Sequence, residues 1–277
     1  MNTQAKQPIG VFDSGVGGLT VLRHLIQTLP GEDFVYLGDT ARVTYGNKSP
    51  ETIRHYTRQC VHFLLNLNVK AIVIACNTAS ALALDLAQEI SPVPVIGMIS
   101  PAAKSAVTQT KRGSIGIIGT RATISSSAYE HAIHEESQLQ HKTTNVYGKA
   151  CPLFVPLAEE DWSEHPAAAL ISHEYLDYFT SLNIDTLVLG CTHYPLLRSL
   201  IQNTLPEVTL LDCGESAAKE LSNILQQEAH NSISAKPVIT LYTTDTVHAF
   251  SKIAERCIGF PLPDPIRIST ESLEQHG

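Results

Sequence analysis

The chain has 277 residues, 43% of them hydrophobic, which is enough to bury a substantial core and suggests two domains of ordinary size. Its formal net charge of -8, from 19 basic and 27 acidic side chains with no Lys/Arg run, excludes a phosphate-tracking surface and makes nucleic acid an unsuitable partner. The amino-terminal MNTQAKQPIGVFDSG lacks the apolar core and cleavage site of a secretion signal, and no apolar stretch approaches the roughly 20 residues that span a bilayer. The expectation is a cytosolic protein without membrane contact. Its six cysteines, at 60, 76, 151, 191, 213 and 257, show no CxxC pairing and are expected as thiols.

In chain order, IGVF (9–12), DFVYLG (33–38), AIVIAC (71–76), VPVIGM (93–98), SIGIIGT (114–120), DTLVLGC (185–191) and VTLLDC (208–213) are near-continuous apolar runs. They read as short strands of a parallel sheet covered on both faces. Between them, LTVLRHLIQTL, ETIRHYTRQCVHFLLNLN, TASALALDLAQEI and AAALISHEYLDYFTSLN space their apolar residues as helices do. The alternation predicts an α/β architecture.

The order of residues also repeats. IGVFDSGVGGLTVLRHL (9–25) parallels IGIIGTRATISSSAYEHAI (115–133), and IVIACNTASALAL (72–84) parallels LVLGCTHYPLLRSL (187–200). Each half opens with a strand and polar turn and closes with a strand ending in cysteine. Ligands of open α/β sheets bind beyond the carboxyl ends of the strands, so two facing domains can bring both cysteines to one cleft.

The glycines and N–H groups of DSGVGGLT (13–20) could cradle an anion at a helix start, or Asp13 or Ser14 could simply cap that helix. Asp13, at a strand end, is a candidate base or orienter. Cys76 stands where a helix begins, a position that favours thiolate; packing is the plainer reading of one such cysteine, but the matching Cys191 weakens it. Cys191 and His193 lack a third ligand at zinc spacing, so a metal is not expected. Together they could also form the nucleophilic pair of a Cys-His amidase, which leaves Cys76 unexplained. Glu159 and Glu160 in ACPLFVPLAEEDW are an adjacent pair expected at a helix start, either able to reach the site. Cys60, Cys213 and Cys257 read as core.

IGVFDSGVGGLTVL, FVYLGDTARVTYGNKS, AIVIACNTASA, ACPLFVPLAEE and LVLGCTHYPLL, spanning residues 9–197, closely resemble the glutamate racemases in motif and order. These are the cofactor-independent enzymes that supply D-glutamate to bacterial peptidoglycan. Thr44 is a departure, standing where the family commonly has proline; Tyr45 and Gly46 are retained.

The resemblance implies two pseudo-symmetric parallel-sheet α/β domains with the active site between them, the first at about 1–99 plus 211–277 and the second at 100–210. It implies Cys76 and Cys191 as the two acid/base groups, one thiolate and one thiol, with Asp13 and His193 assisting and Glu159, by motif register, on the His193 side. Ser14, Asn77 and Thr78, with Thr192 and the N–H groups around Tyr45 and Gly46, would receive glutamate along with Asp13 and His193. No cofactor is implied, and a homodimer is. An aspartate or hydantoin racemase of the same superfamily, the Cys-His amidase, and a non-catalytic binding module on this scaffold are the alternatives.

Overall fold

The structure, a computed structural model, describes residues 6–227 and 237–275. Strand and helix alternate almost throughout. The first part runs β1 (Ile9–Asp13), α1 (Leu19–Thr28), β2 (Phe34–Gly38), α2 (Pro50–Asn66), β3 (Ala71–Ile74), α3 (Asn77–Ile90), β4 (Val95–Ile96) and α4 (Ile99–Gln109). The second part runs β5 (Ser114–Gly119), α5 (Arg121–Ser125), α6 (Ala128–Leu139), β6 (Asn145–Ala150), α7 (Phe154–Glu159), α8 (Pro166–Thr180), β7 (Thr186–Gly190), α9 (Arg198–Thr204) and β8 (Thr209–Asp212). The chain then returns through α10 (Cys213–Gln227), β9 (Ile239–Thr243), α11 (Val247–Ile258), β10 (Ile266–Arg267) and α12 (Thr270–Glu274).

Two wholly parallel sheets result, one ordered β10-β9-β2-β1-β3-β4 and the other β6-β5-β7-β8. Every residue of β1, β2, β3, β5 and β7 is buried, as continuous apolar runs require when helices cover both faces. The runs at 71–76 and 93–98 end earlier than their apolarity suggests: β3 stops at Ile74 and β4 keeps two residues. Three strands lie outside the expected set. β6 is a partly exposed edge strand with the mixed sequence NVYGKA, and β9 and β10 complete the far side of the first sheet.

The sequence repeat is a structural one. The block β2-β1-β3-β4 has the same order as β6-β5-β7-β8, and the registers coincide as well. Phe12 faces Ile74 across β1 and β3, as Ile118 faces Leu189 across β5 and β7. Two residues beyond Ile74 stands Cys76, and two beyond Leu189 stands Cys191. In each block the connections leave the two central strands in opposite directions, which opens a crevice at their carboxyl ends. Both cysteines stand at such a crevice.

One apolar core joins the sheets. Ile9, Val11 and Val73 of the first sheet and Ile115, Ile117 and Val188 of the second bury against a shared layer that includes Leu19 and Leu22 of α1, Ala102 and Ala106 of α4, Ile133 of α6 and Leu221 of α10. Separate cores fill the outer faces, Phe63 and Leu64 of α2 with Ala79 and Ala83 of α3 on one side, and Phe154, Leu176 and Ile201 on the other. Cys60, Cys213 and Cys257 are buried in these layers. Helix α2 shows the local logic: Ser49 caps it by accepting the Thr52 N–H, and Pro50 occupies its first turn, where no N–H is missed. No helix among the described residues is long and apolar enough to cross a membrane.

Candidate active site

A cavity of about 30 Å³ lies between the strand ends of the two sheets, lined from the first block by Ser14, Tyr45, Gly46, Cys76, Asn77 and Thr78 and from the second by Cys191, Thr192 and His193. Val43, Thr44, Thr120 and Val155 complete the wall. Asp13 lies buried beneath it, and Glu159 contacts His193 from behind. The residues that the motif resemblance implies as the site are therefore at or against one cavity, whereas Glu160 is exposed outside it. Among the described residues no three His, Cys, Asp or Glu side chains cluster as metal ligands.

Cys76 caps α3, and its Sγ accepts the Ala79 N–H at 3.5 Å while its thiol donates to Ser14 Oγ at 3.6 Å. The helix start was expected to favour thiolate. Burial wins instead: desolvation, with the Asp13 carboxyl next, pushes the thiol up to about 12, and the Ala79 N–H and Ser14 hydroxyl offset only part of this. At neutral pH Cys76 is a thiol, with a proton to give.

The glycine turn also differs from expectation. The anion its N–H groups cradle is the protein's own: Asp13 Oδ2 accepts from Gly15 and Gly18 at 3.0 Å each, while α1 begins with no side-chain cap. Asp13 Oδ1 is buried with no hydrogen-bond partner. Burial raises the Asp13 pKa, and the charge of His193 and the turn's N–H groups recover only part of the loss.

On the other wall, Cys191 Sγ lies 3.9 Å from His193 Nδ1, and His193 Nε2 lies 3.0 Å from Glu159 Oε1. Burial opposes charge on His193, but the hydrogen bonds to Cys191 and Glu159 outweigh it and push the ring up to about 10. Glu159 is the last residue of α7 and Glu160 follows it, so the acidic pair sits at a helix end rather than a start. That placement lets Glu159 turn back to the imidazole. Arg256 of α11 donates to the carbonyls of Ala158 and Glu159, neutralising the exposed carbonyl end of α7.

The walls touch through close backbone approach. A Cβ on Gly17 would stand 2.6 Å from His193 Nδ1, and one on Gly46 would stand 2.6 Å from Thr120 Cβ, so glycine is what lets each turn of the first block reach the second. Thr20 Oγ1 donates to the Thr192 carbonyl at 3.0 Å or to that of Gly17 at 2.9 Å. Tyr45 is held from below, its hydroxyl donating to Asp39 at 2.5 Å, and Asp39 also receives Arg42 Nε. Thr120 was missed in the sequence, although a signal existed. In the internal repeat it occupies the place of Ser14, and it shares hydrogen bonds with Thr78 at 2.9 Å and Thr123 at 3.0 Å.

The His193 geometry carries a prediction about stability. A histidine whose folded pKa is raised contributes stability that is fully present below its unfolded value near 6.5 and is lost as pH rises through about 10. Glu159→Gln removes one of the two contacts that raise it, so the variant should lose less stability than wild type between pH 6.5 and 10. Urea unfolding of both proteins across that range checks this. Equal pH slopes would show that Glu159 does not hold the imidazolium.

Residues 9–221 match the family model described as Asp/Glu/Hydantoin racemase. A glutamate racemase of Chlorobaculum tepidum is 48% identical over 260 residues, covering 93% of this chain and 94% of that one. The crystal structure of glutamate racemase from Francisella tularensis in complex with D-glutamate superposes with a TM-score of 0.90 at 38% identity, covering 97% and 99% of the two chains. That of glutamate racemase from Thermus thermophilus in complex with beta-chloro-D-alanine gives 0.86 at 42% identity, covering 98% and 100%. A match of this extent, carrying both cysteine-bearing turns within it, shows that the chain belongs to the Asp/Glu/Hydantoin racemase family and is an isomerase of that family.

Proposed function

We propose that this racemase interconverts L- and D-glutamate without a cofactor, using Cys76 and Cys191 as its two acid/base groups. The observation that carries the reading is that the two thiols open on one cavity from equivalent registers of two facing sheets. Inverting a stereocentre by proton transfer needs a base on one face of the α-carbon and an acid on the other. In the forward step one sulfur, as thiolate, removes the α-proton. The electron pair left on carbon spreads into the α-carboxylate, and the opposite thiol returns a proton from the other face. The first sulfur is then a thiol and the second a thiolate, ready for the reverse reaction.

Cys76, held protonated by burial, suits the donor role at rest, and His193 stands 3.9 Å from the Cys191 sulfur, where it can orient it. Asn77, Thr78, Thr192, Ser14 and the N–H groups around Tyr45 and Gly46 supply hydrogen bonds for the carboxylates and the ammonium, and fixed donors at the α-carboxylate stabilise the carbanion-like transition state. The substrate in the Francisella tularensis relative's crystal structure, D-glutamate, agrees with this choice over aspartate.

A cavity of about 30 Å³ holds a water or two, not a five-carbon amino acid, so we take substrate entry to require the two lobes to part. The lobes we propose are 1–99 with 211–277, and 100–210. The second crossing is best moved to follow Asp212, because Leu211 and Asp212 pair with β7. A cytosolic homodimer that feeds D-glutamate to peptidoglycan completes the reading, as the motif resemblance implies.

The test is circular dichroism and proton NMR of L-glutamate in D2O with purified protein and no added cofactor. Loss of optical activity together with exchange of the α-proton supports the reading. Folded protein that exchanges neither enantiomer of glutamate rejects it, and aspartate is the next substrate to try.

A further inference from the structure

Asn77 is one of the cavity's wall residues, and among the described residues the hydroxyl of Tyr129 is the one hydrogen-bond partner of its side chain. The bond is short, 2.6 Å from Tyr129 Oη to Asn77 Oδ1, and it crosses between lobes: Asn77 opens α3 of the first block, whereas Tyr129 lies in the first turn of α6 in the second. Tyr129 is 1% exposed, sits in the shared core, and has no solvent to satisfy its hydroxyl.

Its other neighbour is Cys213, the first residue of α10, whose Sγ is 3.0 Å from Tyr129 Oη and 3.3 Å from the Leu189 carbonyl. Leu189 stands two residues before Cys191. A buried line of polar groups thus runs from the strand that ends just before Cys191, through Cys213 and Tyr129, to the residue that follows Cys76. Polarity along it is fixed by the protons available. A phenol has one, burial keeps it on oxygen, and the acceptor within shortest reach is Asn77 Oδ1.

We propose that Tyr129 is a positioning residue for substrate recognition: by taking Asn77 Oδ1 it fixes the amide so that Nδ2 is the group offered to a carboxylate of the substrate. An unanchored amide can present either end, and the oxygen end would repel the same carboxylate. Because donor and amide belong to different lobes, Asn77 is oriented only when the lobes are together. Recognition of the carboxylate is thereby coupled to closure. This inference rests on the proposed glutamate racemisation.

The reaction is measured first with wild type. If wild type does not racemise glutamate, the functional reading fails by itself and Tyr129 is not the cause. If it does, Tyr129→Phe, which keeps the ring and removes only the hydroxyl, is expected to raise KM for D- and L-glutamate about tenfold and change kcat by less than about threefold, the effect of one lost positioning hydrogen bond. Asn77→Ala is expected to raise KM further, and adding Tyr129→Phe to it should cost nothing more. A merely structural role for Tyr129 predicts the opposite: effects that multiply in the double variant, or a fall in kcat with KM unchanged. Either result overturns the proposal. Should the Phe variant not fold, a crystal structure of wild type with D-glutamate decides. An Asn77 amide between the substrate carboxylate and Tyr129 Oη supports the assignment, and a Tyr129–Asn77 separation beyond hydrogen-bond distance overturns it.

Discussion

Replacing either Cys76 or Cys191 with serine is expected to lower glutamate racemisation by about 10³-fold or more, since each thiol supplies one whole proton-transfer role and a serine hydroxyl is far too weak an acid to substitute. The two variants should not fail in the same way. Each keeps one thiol, so each retains at most slow wash-out of the α-proton from the enantiomer whose proton faces that thiol, without inversion. Proton NMR in D2O, run separately from L- and from D-glutamate, therefore gives complementary patterns. The amidase alternative makes a different prediction: Cys191 acts alone as nucleophile, oriented by the His193 and Glu159 that stand beside it, and Cys76→Ser is nearly harmless. Retained inversion in Cys76→Ser would falsify the two-thiol reading.

Asp13→Asn is expected to separate stability from activity. In wild type the carboxyl is fully buried, one of its oxygens has no partner, and its pKa is raised. A carboxyl whose folded pKa lies above its unfolded value binds its proton more tightly when folded, so its stabilising contribution is greatest at acid pH. That contribution declines as pH rises from about 3.9 through the folded pKa, and at neutral pH the buried carboxyl is a net cost. An amide carries no such charge, and its oxygen can still accept from Gly15 and Gly18.

The variant should therefore melt at a higher temperature than wild type at pH 7, with the gap closing toward pH 4. Turnover should fall by about 10²-fold or more, because the Asp13 charge helps set the acidity of Cys76 and the match between that acidity and its proton-transfer role is lost. The thiol pKa should fall with it, which faster alkylation of Cys76 by iodoacetamide at fixed pH would reveal. A variant less stable than wild type at pH 7 would show that Asp13 is retained for the fold and not for chemistry. The buried orphan oxygen is the kind of local cost that functional sites carry and cores otherwise avoid.

The sequence by itself determined the covered parallel strands and the two cysteine-bearing turns. Runs such as AIVIA and LVLG are apolar at every position because helices lie on both faces, and that signature is local to each run. The internal repeat also placed Cys76 and Cys191 at equivalent strand ends, and the structure shows the register that makes them equivalent. The same repeat aligned Thr120 with Ser14, a correspondence whose meaning emerged only when both were found lining one cavity from its two sides.

What the tertiary structure decided depends on partners far away in the chain. β6, β9 and β10 lack a continuous apolar run because edge and neighbouring positions leave them partly exposed, and their identity as strands comes from pairing, β6 with β5, β9 with β2 and β10 with β9, not from composition. The helix start by itself favours thiolate at Cys76, but depth of burial is a property of the closed cleft and outweighs a favourable cap. Glu159 found His193 across 34 residues, and Tyr129 found Asn77 across 52, between elements that no sequence period relates. A side chain's chemistry here is set by its local turn, but its proton and its orientation are set by whatever elements distant in the chain pack against it.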